Sequence, residues 1–127
     1  ALPSFKIHKY VSDKLCENDL EYRTGVIYTT NRRVWEYDEE FKEYLRKVRV
    51  LGIDMETATI FVVGFANGIE RGALLLVSDT PMTPEGIKTS ESDSKVTQKF
   101  VDLHLEIGID AMGHIGKDGE QIKHFTY

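Results

Sequence analysis

Asp54 and Glu56 flank Met55 where the apolar run Val50-Leu51-Gly52-Ile53 ends, and a stretch of small and apolar residues follows at once. Further along, a second apolar run, Ala73 to Val77, ends in Ser78-Asp79. Open α/β sheets bind ligands at the carboxyl ends of their strands. Both acidic ends are therefore expected to serve one site. Such a site offers carboxylates for binding hydroxyls and for moving protons, and it shows no obvious metal set.

Each candidate has a structural alternative. Asp79 can protonate a leaving group if burial raises its pKa, with Ser78 orienting it. Asp equally favours capping a turn such as Thr80-Pro81. Asp54 and Glu56 can accept bonds from adjacent sugar hydroxyls, because a carboxylate accepts several at once. They also suit the amino end of a helix, through its free N–H groups and its dipole. Met55 fits either an apolar sugar face or ordinary core. Asn31, Arg32 and Arg33, with Val34 and Trp35, form a third group. Guanidinium groups and an indole can hold phosphate and stack on a base. The same arginines can pair with Glu36, Asp38, Glu39 or Glu40 on the surface, with Trp35 in the core.

The elements that position these residues follow from periodicity. Ser4 is expected to cap a first helix that carries Phe5, His8, Tyr10, Val11 and Leu15 and ends near Glu17-Asn18-Asp19. Gly25 to Thr30 is β-branched and aromatic and reads as a strand. Asp38 to Val48 reads as a helix with Phe41, Tyr44, Leu45 and Val48 on one face. Val50 to Ile53 is the next strand and Met55 to Ala66 the next helix, closed by Asn67-Gly68. Arg71 to Val77 reads as a third strand, apolar because both its faces are covered. Thr80 to Ser94 reads as a loop, and its length marks it as functional or mobile. Ser92 or Ser94 caps a last helix that runs to about His114, with a polar tail from Lys117. Strands separated by helices imply an α/β fold with parallel pairing, in a single partial domain spanning residues 1–127. Three strands are few for a sheet covered on both faces. The chain is expected to be part of a larger unit or to complete itself by association.

Composition excludes several classes. The chain has 127 residues and a formal charge of −5, with no basic block, which argues against binding nucleic-acid phosphates. Its longest apolar stretch, Ala58 to Ala66, is too short to span a bilayer. No signal-peptide core is present, and a lone Cys16 fits a cytoplasmic setting. The dispersed His8, His104, His114 and His124 show no HExxH-type spacing, so no metal site is expected.

Gly52-Ile53-Asp54-Met55-Glu56-Thr57-Ala58, followed by Leu75-Leu76-Val77-Ser78-Asp79, resembles the nucleoside phosphorylase and nucleosidase superfamily of purine enzymes. The stretch Thr24 to Glu36 and the late Glu106-Ile107-Gly108-Ile109-Asp110-Ala111-Met112 are similar to the branch of nucleosidases that acts on AMP. The resemblance implies a nucleoside phosphorylase-like α/β fold, of which the chain would be the carboxyl-terminal half. It implies that Asp79 protonates the purine with Ser78 beside it. Met55 and Glu56 would grip the ribose, with Asp54 where many relatives have Glu. Arg33 and Val34 would fall near the base pocket, with Asn31 and Trp35 close by. The implied substrate is AMP or a purine nucleoside, and the implied reaction is hydrolysis of AMP to adenine and ribose 5-phosphate, without a cofactor. Phosphorolysis and a non-catalytic binding or assembly role are the rival expectations. The family also implies a homo-oligomer in which a neighbouring subunit completes the pocket, and the apolar Phe61-Val62-Val63 agrees with that.

Overall fold

The computed structural model describes residues 2–83, Gly86 and 90–118. The elements run α1 (Phe5–Glu17), β1 (Val26–Thr29), α2 (Glu39–Lys47), β2 (Val50–Asp54), α3 (Thr57–Ala66) and α4 (Ser90–Asp118). β1 and β2 pair in parallel, with Tyr28 opposite Ile53 and Thr29 opposite Asp54, and α2 is the crossover between them. This is the βαβ connection expected of an α/β fold. The register shifts once, between Val26 and Ile27, so that Leu51 is passed over and Ile27 meets Gly52.

Two compact units share the chain. One comprises residues 1–22, 61–74 and 102–127, and the other residues 23–60 and 75–101. In the first, Leu15, Phe61, Ile107 and Ala111 are buried. Lys14 lies nearly buried beside them and reaches Glu17 at 2.6 Å and Asp110 at 3.5 Å, so its stem packs while its charge is matched. Ser4 stands at the cap position of α1 but makes no side-chain bond to that helix. Its hydroxyl instead accepts the Arg71 N–H at 3.0 Å, and its own N–H donates to the Arg71 carbonyl at 2.7 Å. In the second unit Leu45 of α2 is 1% exposed and is the buried anchor of the crossover. Asp38 caps α2 by accepting the Phe41 N–H at 2.9 Å. Glu39 and Glu40 in the first turn and Arg46 and Lys47 in the last complement the helix dipole.

The expected third strand does not form. Arg71 to Val77 joins no ladder among the described residues, and Leu75, Leu76 and Val77 are exposed. An apolar run becomes a strand only when a neighbour takes its N–H and C=O groups, and β1 and β2 pair only with each other. The expected covering of both faces fails for the same reason. The last helix also starts earlier than either expected cap, at Ser90, and runs on to Asp118. Within the expected loop, the Thr80 N–H donates to the Gly86 carbonyl at 2.9 Å and the Thr83 N–H donates to the Thr80 carbonyl at 2.9 Å. A Cβ on Gly86 would stand 1.9 Å from the Thr80 carbonyl oxygen, so the closure requires glycine. The rest of that loop, at 84–85 and 87–89, and the tail from 119 lie outside the described residues. α3 closes as expected: Gly68 takes a φ of 65°, and the Ile69 N–H donates to the Gly64 carbonyl at 2.8 Å.

Candidate functional site

The second unit holds an open cleft of about 640 Å³ at the carboxyl end of its sheet. Its walls are the end of β1 and its exit, Tyr28 to Arg32, together with Phe41 and Tyr44 of α2, and Met55 and Thr59 around the start of α3. A cavity of this size suits a small molecule. The aromatic wall is ordered by edge-to-face contacts. Tyr28 meets Phe41 at 5.5 Å and Tyr44 at 6.0 Å between ring centres, and Trp35 meets Phe41 at 6.1 Å. The Arg32 guanidinium lies 4.9 Å above the Phe41 ring and pairs with Asp38 at 2.8 Å. Both partners are exposed, so the pair adds little stability while keeping the cation beside the cleft.

β2 delivers Asp54, Met55 and Glu56 to the start of α3. Asp54 Oδ1 accepts the Thr29 hydroxyl at 2.6 Å. Its Oδ2 accepts the Thr57 N–H at 2.7 Å and the Thr57 hydroxyl as well. Thr29 Oγ1 in turn accepts the Ala58 N–H at 2.9 Å. Burial alone would push the Asp54 carboxyl up. The bonds from Thr29 and Thr57, helped by the backbone N–H groups of Thr57 and Glu56, outweigh it and hold the group below its ordinary 3.8. The capping alternative for Asp54 is thus realised. Met55 is exposed and lines the cleft. The Glu56 carboxylate takes one local bond, from the Met55 N–H at 3.2 Å, and its side chain is exposed.

Of the other residues singled out from sequence, Asn31 lines the cleft and is exposed. Arg33 and Val34 are exposed and do not line it. Trp35 is half-buried behind Phe41. Ser78 and Asp79 are half-buried in the same unit, and the Ser78 hydroxyl donates to Asp79 Oδ1 at 2.6 Å. Neither lines the cleft. Arg32, expected from sequence as a phosphate-holding arginine, does line the cleft, whereas Tyr28, Thr29, Thr30, Phe41, Tyr44 and Thr59 were not expected there. Thr29 and Thr30 carry a usable signal, since they end a strand that pairs in parallel. Phe41 and Tyr44 read as a core face from their helical spacing, and nothing in that spacing separates core from cleft wall.

The sequence pattern of the phosphorylase superfamily matches residues 1–112. The chain belongs to that superfamily. The AMP nucleosidase of Escherichia coli K12 is 34% identical over 102 residues, which cover 79% of this chain and 21% of the relative. A purine nucleoside phosphorylase of DeoD type from Caldanaerobacter subterraneus is 33% identical over 104 residues, covering 82% of this chain and 44% of the relative. The crystal structure of AMP nucleosidase from Bacteroides thetaiotaomicron superposes with a TM-score of 0.75 at 49% identity, over 92% of this chain and 45% of that one. The fold is therefore nucleoside phosphorylase-like. The chain spans less than half the length of each of these relatives. Among the described residues no helix is long and apolar enough to cross a membrane.

Proposed function

We propose that the chain forms part of an enzyme that hydrolyses the N-glycosidic bond of AMP, giving adenine and ribose 5-phosphate. The observation that carries this reading is the 49% identity to an AMP nucleosidase over nearly the whole chain, which exceeds the 33% to a phosphorylase. In the reaction, a water oxygen bonds to the anomeric carbon as the carbon–nitrogen bond breaks. The bonding pair leaves with the purine, and Asp79 gives that purine a proton. Water supplies the proton that restores the Asp79 acid. Positive charge grows on the sugar meanwhile, and Glu56 holds the hydroxyls and favours that charge electrostatically. Ser78 orients Asp79 through the bond already present. Met55 supplies an apolar sugar contact. Asn31 in the cleft and Trp35 against Phe41 are the base-side residues, with Arg33 and Val34 between them in the chain. We place the enzyme in purine salvage in the cytoplasm and expect it to act as a homo-oligomer, in line with the exposed Val62 and Val63; Phe61, expected on the same face, is buried instead, and Phe65 is exposed nearby.

The test is incubation of the protein with AMP in phosphate-free buffer, with chromatography of the products. Adenine and ribose 5-phosphate in equal amounts are expected. Ribose 1-phosphate formed from adenosine only when phosphate is added would replace hydrolysis by phosphorolysis. Binding of adenine without release of any from AMP would replace catalysis by a binding role. Light scattering checks the assembly, and a monomer would overturn that part.

A further inference from the structure

Resting on the sugar-binding role proposed for Met55 and Glu56, we propose that Thr29 is a positioning residue for the site, and that Asp54 acts as its tie rather than as a ligand for the sugar. The tie fixes the turn that presents Met55 and Glu56.

Donor and acceptor bookkeeping carries this. A carboxylate has about four acceptor positions. On Asp54, three are filled from within the protein: by the Thr29 hydroxyl, the Thr57 N–H and the Thr57 hydroxyl. The single proton of the Thr29 hydroxyl is committed to Asp54, and one of its lone pairs takes the Ala58 N–H. Neither residue retains a donor for a ligand, and Asp54 keeps room for at most one further bond. Glu56, two residues on, takes a single bond among the described residues, of 3.2 Å, and its side chain is exposed. Hydroxyl recognition therefore falls to Glu56, and Asp54 to holding it in place. The tie joins positions 25 residues apart: Thr29 ends β1, while Asp54 ends β2 opposite it and caps α3. The Thr30 N–H extends the same seam, donating to the Asp54 carbonyl at 2.9 Å. Both walls of the cleft, Thr29 to Arg32 on one side and Met55 with Thr59 on the other, leave from this knot. A small movement of the knot shifts one wall against the other.

Thr29→Val keeps the branched shape that suits a strand and removes only the hydroxyl. Thr29→Ser restores the hydroxyl on a smaller side chain. Calorimetric titration with ribose 5-phosphate and, separately, with adenine is the experiment. Amide exchange at Ala58 is followed in parallel. The expected result is at least tenfold weaker ribose 5-phosphate binding in Thr29→Val, adenine binding within twofold of the parent, and recovery in Thr29→Ser. Ala58 exchange should quicken in the valine variant alone. An Asp54 that bound the sugar directly would be released by Thr29→Val and would bind as well or better, which overturns the proposal. Equal losses for both ligands that serine fails to restore would mark a packing role and overturn it too. Parent protein that binds neither ligand sinks the proposed activity, and with it the role of the tie in a sugar site. In that event Ala58 exchange still reports whether the tie itself exists, so the two failures are distinguishable.

Discussion

Replacing Asp54 by alanine tests the knot where both strands and α3 meet. Two losses add. The cap on α3 goes, which costs about 1 kcal/mol. The bond from the Thr29 hydroxyl to a carboxylate goes as well; bonds to charged groups contribute about 1.5–3 kcal/mol, and a partly buried site belongs at the low end. The sum is roughly 2–3 kcal/mol at neutral pH. With a urea slope of about 1.5 kcal/mol/M, the midpoint should fall by about 1.3–2 M. The pH dependence gives a second reading. The folded Asp54 carboxyl lies below its ordinary value, because the bonds from Thr29, Thr57 and the backbone outweigh the upward push of burial. Its ionised form is therefore favoured by folding. Its contribution is complete above the unfolded value of about 3.9 and is lost as pH falls through the lower folded value. The gap between parent and Asp54→Ala should be full at pH 7 and close progressively below about pH 4. Urea unfolding of both proteins from pH 7 to pH 2.5 measures it. A gap under about 0.5 kcal/mol at pH 7, or one that stays constant to pH 2.5, would refute the reasoning.

Asp79→Asn should lower turnover of AMP by roughly 10²–10⁴-fold while AMP binding persists, since only the proton donor is lost; unchanged turnover in a steady-state assay would remove Asp79 from the mechanism. Leu45→Ala should cost about 3 kcal/mol in urea unfolding, because the side chain is 1% exposed and leaves a cavity between α2 and the sheet. Gly86→Ala should open the 80–86 closure, since its Cβ would overlap the Thr80 carbonyl oxygen; faster amide exchange at Thr80 is the expected sign, and unchanged exchange would show that the loop accommodates a methyl group.

The helices and the parallel pair were legible because local signals and tertiary packing agree there. Asp38 caps α2 as its position predicts, and the apolar face of that helix buries Leu45. Gly68 closes α3 in the conformation that glycine tolerates best. Ser4 was placed correctly at the start of α1, yet its hydroxyl serves Arg71, 67 residues away, a partner that local periodicity has no means to name. Arg71 to Val77 failed for a related reason. Hydropathy records that a run needs cover but not which strand supplies it. The relatives contain at least as much chain again as the part matched here, whereas the sheet among the described residues has two strands.

The carboxylates at the end of β2 show how far composition reaches toward a site. Three residues were visible as a group, but sequence could not divide their tasks, because Asp54 and Glu56 are chemically alike and sit on either side of Met55. The division comes from the partners. Asp54 meets a threonine from another strand and the first turn of α3, so most of its acceptor positions are taken inside the protein. Among the described residues Glu56 accepts its neighbour's N–H alone, and it stays exposed. Thr29 was the overlooked element. A threonine at a strand end is commonplace in sequence, and it acquires a role only once the parallel register sets it opposite Asp54. Residue type proposes a chemistry here, while register decides which of two like carboxylates is free to perform it.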